Sequence, residues 1–219
     1  MKTRIAIRPL RSHKIRGLYA ITPDSENTAD LLDKTQQVLA GGAQCIQYRN
    51  KSADNVLRKK QAGLLLQLCR KHAIPLIVND DIDLAIEIDA DGVHVGRDDS
   101  SVSAARKFLQ QDKIVGASCY NNLDLAIEAE KQGADYVAFG AFFPSVTKPE
   151  ATPVSISLIN QARQILTMPV VGIGGIQLTN AAMVIHNGCD AIAVCSDLFQ
   201  AGNIKLRAAQ YTQLFAENL

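Results

Sequence analysis

Short apolar runs alternate along this chain with segments whose apolar residues recur at helical spacing. The runs are GLYAIT (17–22), CIQYR (45–49), LIVND (76–80), GVHVG (92–96), IVGASC (114–119), YVAFG (136–140), VVGIGG (170–175) and AIAVCS (191–196). Most are nearly unbroken, as expected of parallel strands covered on both faces. Between them, Leu123 to Gln132 sets Leu123, Ala126, Ile127 and Ala129 against Asp124, Glu128, Glu130 and Lys131, and Gly133 follows as a stop. Ala53 to His72, Ser155 to Leu166 and Ile204 to Phe215 read as helices in the same way, and 81–88 as a short one.

Four of the eight runs share a preface: Gly41-Gly-Ala-Gln44, Asp89-Ala-Asp91, Gly133-Ala-Asp135 and Gly188-Cys-Asp190. Their spacing of 44 to 55 residues equals two strand–helix units, and only even-numbered strands carry it. A doubled unit repeated four times predicts closure rather than an open sheet. The expected fold is therefore α/β, a single (β/α)8 TIM barrel with eight parallel strands over 17–219. Residues 1–16, with six Lys/Arg and no acid, read as a short basic N-terminal leader.

Composition narrows the field. The chain has 219 residues, 47% hydrophobic, which suits one barrel with a sizeable core. A net charge of +1 gives no global attraction to nucleic acid or to a membrane surface. No apolar run reaches 18 residues, so no transmembrane helix is expected, and no secretory h-region is visible. The five cysteines are odd in number and show no CxxC or zinc spacing, which fits reduced, buried thiols in a cytoplasmic protein. The four histidines form no ligand pair; His94, inside GVHVG, reads as a hydrogen-bonded wall residue.

Barrels of this kind carry their chemistry at the C-terminal strand ends. The second strand ends in Gln47, Arg49 and Lys51, which alternation places on one side as an anion clamp. Asn79-Asp80-Asp81 ends the third strand, and Arg97-Asp98-Asp99 follows the fourth. Carboxylates at neighbouring strand ends can share one Mg²⁺ with a phosphorylated substrate, although Asp81 and Asp98 also suit helix N-caps. Ser118 ends the fifth strand. Ser145, Thr147 and Lys148 follow the sixth, offering two hydroxyls and an ammonium to a phosphate. Gly174-Gly175 ends the seventh and Cys195-Ser196 the eighth, where backbone N–H groups can meet a second phosphate. At Gly175 a side chain is expected to fill the space such a phosphate needs. No Ser-His-Asp arrangement or isolated strand-end lysine marks a nucleophile, so catalysis by charge placement is the simpler reading.

In order, GLYAITP, QYRNK, IVNDDIDLA, DADGVHVGRDD, VGASCYN, GADYVAFGAFFPSVTK, PVVGIGGI and AVCSDLF resemble the thiamin phosphate synthase family, from Gly17 to about Gly202. The resemblance implies a transferase of thiamine biosynthesis. It would join 4-amino-5-hydroxymethyl-2-methylpyrimidine diphosphate to a 4-methyl-5-(2-hydroxyethyl)thiazole phosphate, carboxylated or not, releasing pyrophosphate. It implies pyrimidine-diphosphate contacts at Gln47, Tyr48, Arg49, Asn50, Lys51, Asn79, Ser118 and Lys148, and Mg²⁺ at Asp80 and Asp99. It implies thiazole-phosphate contacts at Ser145, Val146, Thr147, Gly175, Cys195 and Ser196. Arg49, Lys51, Ser118 and Lys148 take the catalytic roles in a dissociative, Mg²⁺-assisted mechanism. The partners implied are small-molecule substrates, with no nucleic acid and no membrane; a homo-oligomer stays open. The chain departs from the family pattern at Arg97, Cys119-Tyr120, Ser145 and Cys195.

Two other readings compete. A thiazole tautomerase of the same superfamily binds a similar phosphate but has no pyrophosphate to neutralise. A non-catalytic phosphate- or thiamin-sensing barrel could lose the metal pair without penalty. Retention of Arg49, Lys51, Asp80, Asp99 and Lys148 weighs against both.

Overall fold

The computed structural model describes residues 15–96, 101–144 and 154–217. Eight parallel strands close in sequence order: β1 (Gly17–Ile21), β2 (Cys45–Tyr48), β3 (Leu76–Asn79), β4 (Gly92–Val95), β5 (Ile114–Tyr120), β6 (Tyr136–Phe139), β7 (Val170–Ile173) and β8 (Ala191–Val194). Each starts where the apolar runs begin. Around them lie α1 (Thr28–Ala40), α2 (Asn55–Lys71), α3 (Ile82–Glu87), α4 (Val102–Phe108), α5 (Leu123–Lys131), α6 (Ser157–Ile165), α7 (Leu178–His186), α8 (Ser196–Phe199) and α9 (Ile204–Ala216). The eighth strand is shorter than its apolar run: it ends at Val194, and a one-turn helix, α8, starts at Ser196.

Local chemistry explains the boundaries. Asn27, Asp54, Asp81, Ser101, Asn122 and Asn203 cap helices by accepting backbone N–H bonds from the first turn. Asp81 is thus a cap, accepting from Leu84 N at 2.9 Å, as its sequence position allowed.

Alternation in each strand divides the core. An outer layer between strands and helices holds Ile46, Tyr48, Val78, Val93, Val137 and Ile192 among many others. An inner layer holds Ile15, Tyr19, Ile21, Cys45, Ile77, Ile114, Tyr136, Val171 and Ala191. Each fully buried aliphatic or aromatic side chain contributes about 1.5–3 kcal/mol. Ile15, on the leader side of the boundary read from the sequence, is 1% exposed and packs in that inner layer.

Three of the four prefaces, those ending in Asp, have a structural job at the barrel floor. Asp91 Oδ2 accepts from Leu76 N at 2.9 Å, Asp135 Oδ2 from Val115 N at 2.8 Å and Asp190 Oδ2 from Val170 N at 2.7 Å. Each carboxylate therefore ties the start of the preceding odd strand to the even strand it introduces. This explains why the repeat counts in pairs of units.

Candidate active site

The strand ends converge at the C-terminal mouth. Thr22 continues the β1–β2 pairing: its N–H donates to Gln47 O at 2.9 Å, and its hydroxyl donates to Arg49 O at 2.9 Å while accepting from Arg49 N at 2.9 Å. This fixes the backbone from which the cationic side chains extend. Arg49 Nη1 lies 3.1 Å from Asp24 Oδ1, which also accepts from Lys51 N at 2.8 Å. Lys51 Nζ lies 3.3 Å from Asp80 Oδ2. The structure thus joins two expected cations and the expected acid Asp80 in one half-exposed cluster. It adds Asp24, which a reading of strand ends from β2 onward passes over; its signal was the polar Thr-Pro-Asp at the end of the first apolar run.

Asp80 sits on a left-handed backbone, φ 63°, uncommon for a non-glycine residue. Its N–H still pairs with His94 O at 2.8 Å, extending the β3–β4 ladder by one step before the chain turns into α3. The turn leaves the carboxylate at the mouth. Asn79 lies beside it, half-buried, paired in register with His94.

Three expected contact residues point elsewhere or inward. Tyr48 belongs to the outer layer, its hydroxyl donating to Gln61 Oε1 at 2.9 Å. Asn50 shapes the loop: its Nδ2 donates to Ser25 O at 2.7 Å and to Gln61 Oε1 at 3.0 Å. The side chains of these two are committed to structure. Gln47 is only 4% exposed and donates from Nε2 to Tyr19 Oη at 2.9 Å, one layer deeper in the barrel. The three clamp residues therefore do not act as one exposed edge; Gln47 lines the interior while Arg49 and Lys51 reach the rim.

Ser118 lies half-buried at a register shift in β5, between Ser118 and Tyr120, and such bulges re-aim side chains. Its Oγ is 2.8 Å from His94 Nε2, and His94 Nδ1 is 2.9 Å from Tyr136 Oη. His94 is thus the hydrogen-bonded wall residue its sequence context suggested. Burial holds the Tyr19 and Tyr136 hydroxyls far above the usual phenol range, so both stay protonated and able to donate.

On the opposite wall, Gly174 and Gly175 have φ of 94° and 62°. A Cβ at Gly175 would stand 2.4 Å from Pro144 O and 2.5 Å from Phe143 O. Glycine is required at 175 on steric grounds in any case, because the segment after β6 crosses directly over it. That segment pairs with the end of β7, Phe142 N to Ile173 O and Phe143 N to Gly174 O, both at 3.1 Å. Next door, Cys195 is the cap position of α8, and Ser196 opens it. The Cys195 thiol is pushed above its ordinary pKa by burial, opposed by the nearby Arg49 guanidinium, and so stays neutral. The backbone N–H groups of a first helical turn have no intrahelical partner and suit an anion.

Arg97, Asp98, Asp99, Ser145, Val146, Thr147 and Lys148 lie outside the described residues. Among the described residues, no three His, Cys, Asp or Glu side chains gather as a metal site. A half-exposed Asp80 beside a cation is nevertheless a suitable partial donor set for Mg²⁺, which takes one or two carboxylates and completes its shell with water and phosphate oxygens. The five cysteines are free, four of them buried. Among the described residues, no helix is long and apolar enough to cross a membrane.

Comparison with known proteins agrees with this geometry. The sequence model of the thiamine monophosphate synthase family matches residues 18–198. A thiamine-phosphate synthase of Nitrosomonas eutropha is 52% identical over 207 residues, covering 94% of this chain and 98% of its own length. One from Methylobacillus flagellatus is 55% identical over 201 residues, covering 92% and 96%. The solved structure of a thiamine phosphate pyrophosphorylase from Pyrococcus furiosus superposes with a TM-score of 0.85 at 33% identity, covering 96% of this chain and all of the other. The chain belongs to the thiamine monophosphate synthase family.

Proposed function

We propose that this member of the family is a transferase of thiamine biosynthesis. It joins 4-amino-5-hydroxymethyl-2-methylpyrimidine diphosphate to a 4-methyl-5-(2-hydroxyethyl)thiazole phosphate, giving thiamin phosphate and pyrophosphate. The observation that carries the reading is the meeting of Arg49, Lys51 and Asp80 at the mouth of a barrel of this family. Two cations and a carboxylate at one rim suit a diphosphate that leaves with its charge growing.

In the reaction the bond between the pyrimidine methylene and the diphosphate oxygen breaks, and a bond from that methylene to the thiazole nitrogen forms. Arg49 and Lys51 release Asp24 and Asp80 in part and turn to the diphosphate, stabilising charge that is larger in the transition state than in the ground state. Lys148, placed by the resemblance, does the same. Gln47 and Ser118 orient the pyrimidine, and the barrel wall shields the electron-poor methylene from water. Asp80 and Asp99 would hold Mg²⁺, whose chemistry there is to neutralise diphosphate oxygens as a Lewis acid. Backbone N–H groups at Gly174-Gly175 and Cys195-Ser196 take the thiazole phosphate, at the end of strands 7 and 8 where barrels often bind one. Free thiols support a reducing compartment, the cytoplasm.

The test is direct. The two phosphorylated substrates are mixed with the purified chain and Mg²⁺, and thiamin phosphate and pyrophosphate are measured together. Equal yields of both are expected. No thiamin phosphate sinks the reading, and full activity in excess chelator sinks its metal. Lys148→Ala is expected to lower kcat by about 10²-fold or more, the scale of one lost charge-stabilising donor.

A further inference from the structure

The barrel interior holds an unbroken line of hydrogen-bonded side chains. Gln47 Nε2 donates to Tyr19 Oη at 2.9 Å, Tyr19 Oη lies 2.8 Å from Tyr136 Oη, Tyr136 Oη 2.9 Å from His94 Nδ1, and His94 Nε2 2.8 Å from Ser118 Oγ. The line joins β1, β2, β4, β5 and β6. Its middle is sealed, with Tyr19 at 1%, Tyr136 at 0% and His94 at 7% exposure. Aromatic contacts hold it in place: Tyr19 meets Tyr136 edge-on at 5.9 Å, and His94 stacks on Tyr136 at 5.5 Å. An apolar core of the same volume would pack without these bonds, so a polar line here calls for a role beyond stability. Both of its ends, Gln47 and Ser118, are residues assigned above to the pyrimidine.

Counting hydrogens gives the line a direction. Each phenol has one hydrogen to donate, and a neutral imidazole has one N–H. With the Gln47 amide nitrogen on Tyr19, the Tyr19 hydroxyl donates to Tyr136 and Tyr136 donates to His94 Nδ1. The imidazole hydrogen is then on Nε2 and is donated to Ser118 Oγ. Any other assignment with that amide orientation leaves a tyrosine hydrogen off every oxygen and nitrogen acceptor of the line. For Tyr19 the remaining acceptor in reach is the Cys45 sulfur, a weak one. The two ends are therefore unlike: Gln47 keeps its carbonyl oxygen to accept, and Ser118 keeps its O–H to donate.

We propose that Tyr19, Tyr136 and His94 are positioning residues that fix this polarity, so that the site selects a ring with an exocyclic N–H beside an unprotonated ring nitrogen. That is the 4-aminopyrimidine edge; a 4-oxopyrimidine, with a carbonyl beside a ring N–H, presents the opposite pattern. The inference rests on the pyrimidine reading of Gln47 and Ser118. Accepting the oxo ring without leaving the Gln47 oxygen and the Ser118 O–H unpaired requires every member to reverse at once: the Gln47 amide turns over, both hydroxyls swing and the imidazole proton changes nitrogen. Selectivity is thus a property of the whole line, because hydrogen bonds in a chain orient one another.

The experiment measures binding of the 4-amino pyrimidine diphosphate and its 4-oxo counterpart, with Mg²⁺, by calorimetry to the full chain and to Tyr136→Phe and Tyr19→Phe. The native chain is expected to prefer the amino compound by about 10²-fold or more, since a site built to pair polar groups rejects the analogue that leaves them unpaired. In either variant the line is cut, and the preference is expected to fall within about tenfold while thiazole-phosphate affinity stays within about twofold. A variant that weakens both pyrimidines equally and keeps their ratio overturns the proposal, because that is the signature of a packing role alone. A second readout needs no variant: with the amino compound bound, imidazole ¹⁵N spectra should show His94 protonated on Nε2, and a proton on Nδ1 overturns the proposal. If the preference is present but no thiamin phosphate forms, the proposed function fails and the polarity stands. If product forms but the native chain shows no preference, the reverse holds.

Discussion

At the barrel floor, Asp135 is 8% exposed and its Oδ2 holds two partners, accepting from Val115 N and pairing with Arg106. At the mouth, Asp80 is held on a left-handed backbone and meets an exposed lysine head at 3.3 Å. The same side chain serves opposite ends. Asp135 and Asp190 each hold a strand N–H and an arginine on one oxygen and so tie strands together; the mouth acid is paired with an exposed lysine head. Asp190 repeats the floor pattern with Val170 N and Arg163, although burial raises its pKa above the ordinary carboxylate value despite these partners. The contrast teaches that a carboxylate's role is set by which partners the fold has already given it.

The sharpest way to break that contrast is to neutralise the mouth acid. Asp80→Asn keeps a residue that tolerates positive φ, so the turn should survive. Turnover is expected to fall about 10³-fold, with a melting temperature within about 2 °C of the native value. Steady-state kinetics with a thermal melt check it; a variant that loses stability rather than kcat would make Asp80 a floor-type residue.

The converse holds for Asp135→Ala. It strands a buried N–H and removes the carboxylate from an Arg106 guanidinium that keeps its bonds to Gly133 O and Lys113 O, which costs about 3 kcal/mol and should lower the melting temperature by roughly 6–12 °C. KM and kcat measured well below the melt should stay near native. Substantial loss of activity in a folded sample would mean that the floor reaches the chemistry.

Gly175→Ala tests a mouth position whose constraint is steric. The left-handed backbone alone costs about 1–2 kcal/mol, and the Cβ meets Phe143 and Pro144 backbone oxygens at 2.5 and 2.4 Å. The displaced segment leads into 145–148, so affinity for both substrates should drop together. A selective loss of thiazole-phosphate binding would instead show that this glycine leaves room for the phosphate.

The smallest change is expected at Asp89→Asn, on the rim of the floor. Hydrogen bonds from Lys113 and then Arg70 lower its pKa below 3.8. The stabilisation is therefore present above the unfolded carboxylate pKa and is lost as pH falls through the lower folded value. Because Asp89 is well exposed, the pair is worth less than about 1 kcal/mol. Melts at pH 7 and pH 3 should differ slightly less in the variant than in the native chain; a difference of several degrees would show a buried-type pair.

The sequence by itself determined the eight strands, most helices, the order of the barrel and the doubled period of its floor. These follow from local periodicity and turn chemistry, which act over a few residues, and closure follows from repeating them. It also named the strand ends at which Arg49, Lys51, Asp80, Gly175 and Cys195 stand, because fold class alone assigns strand ends to the site. It could not separate Tyr48 and Asn50 from their neighbours, since alternation gives a face but not which partner claims it. It passed over Asp24, and it offered no sign that Tyr19 and Tyr136, 117 residues apart, would share a hydrogen bond at the barrel axis. Such contacts depend on which side chains a closed sheet brings to its centre, and no pattern within a single segment encodes that distance.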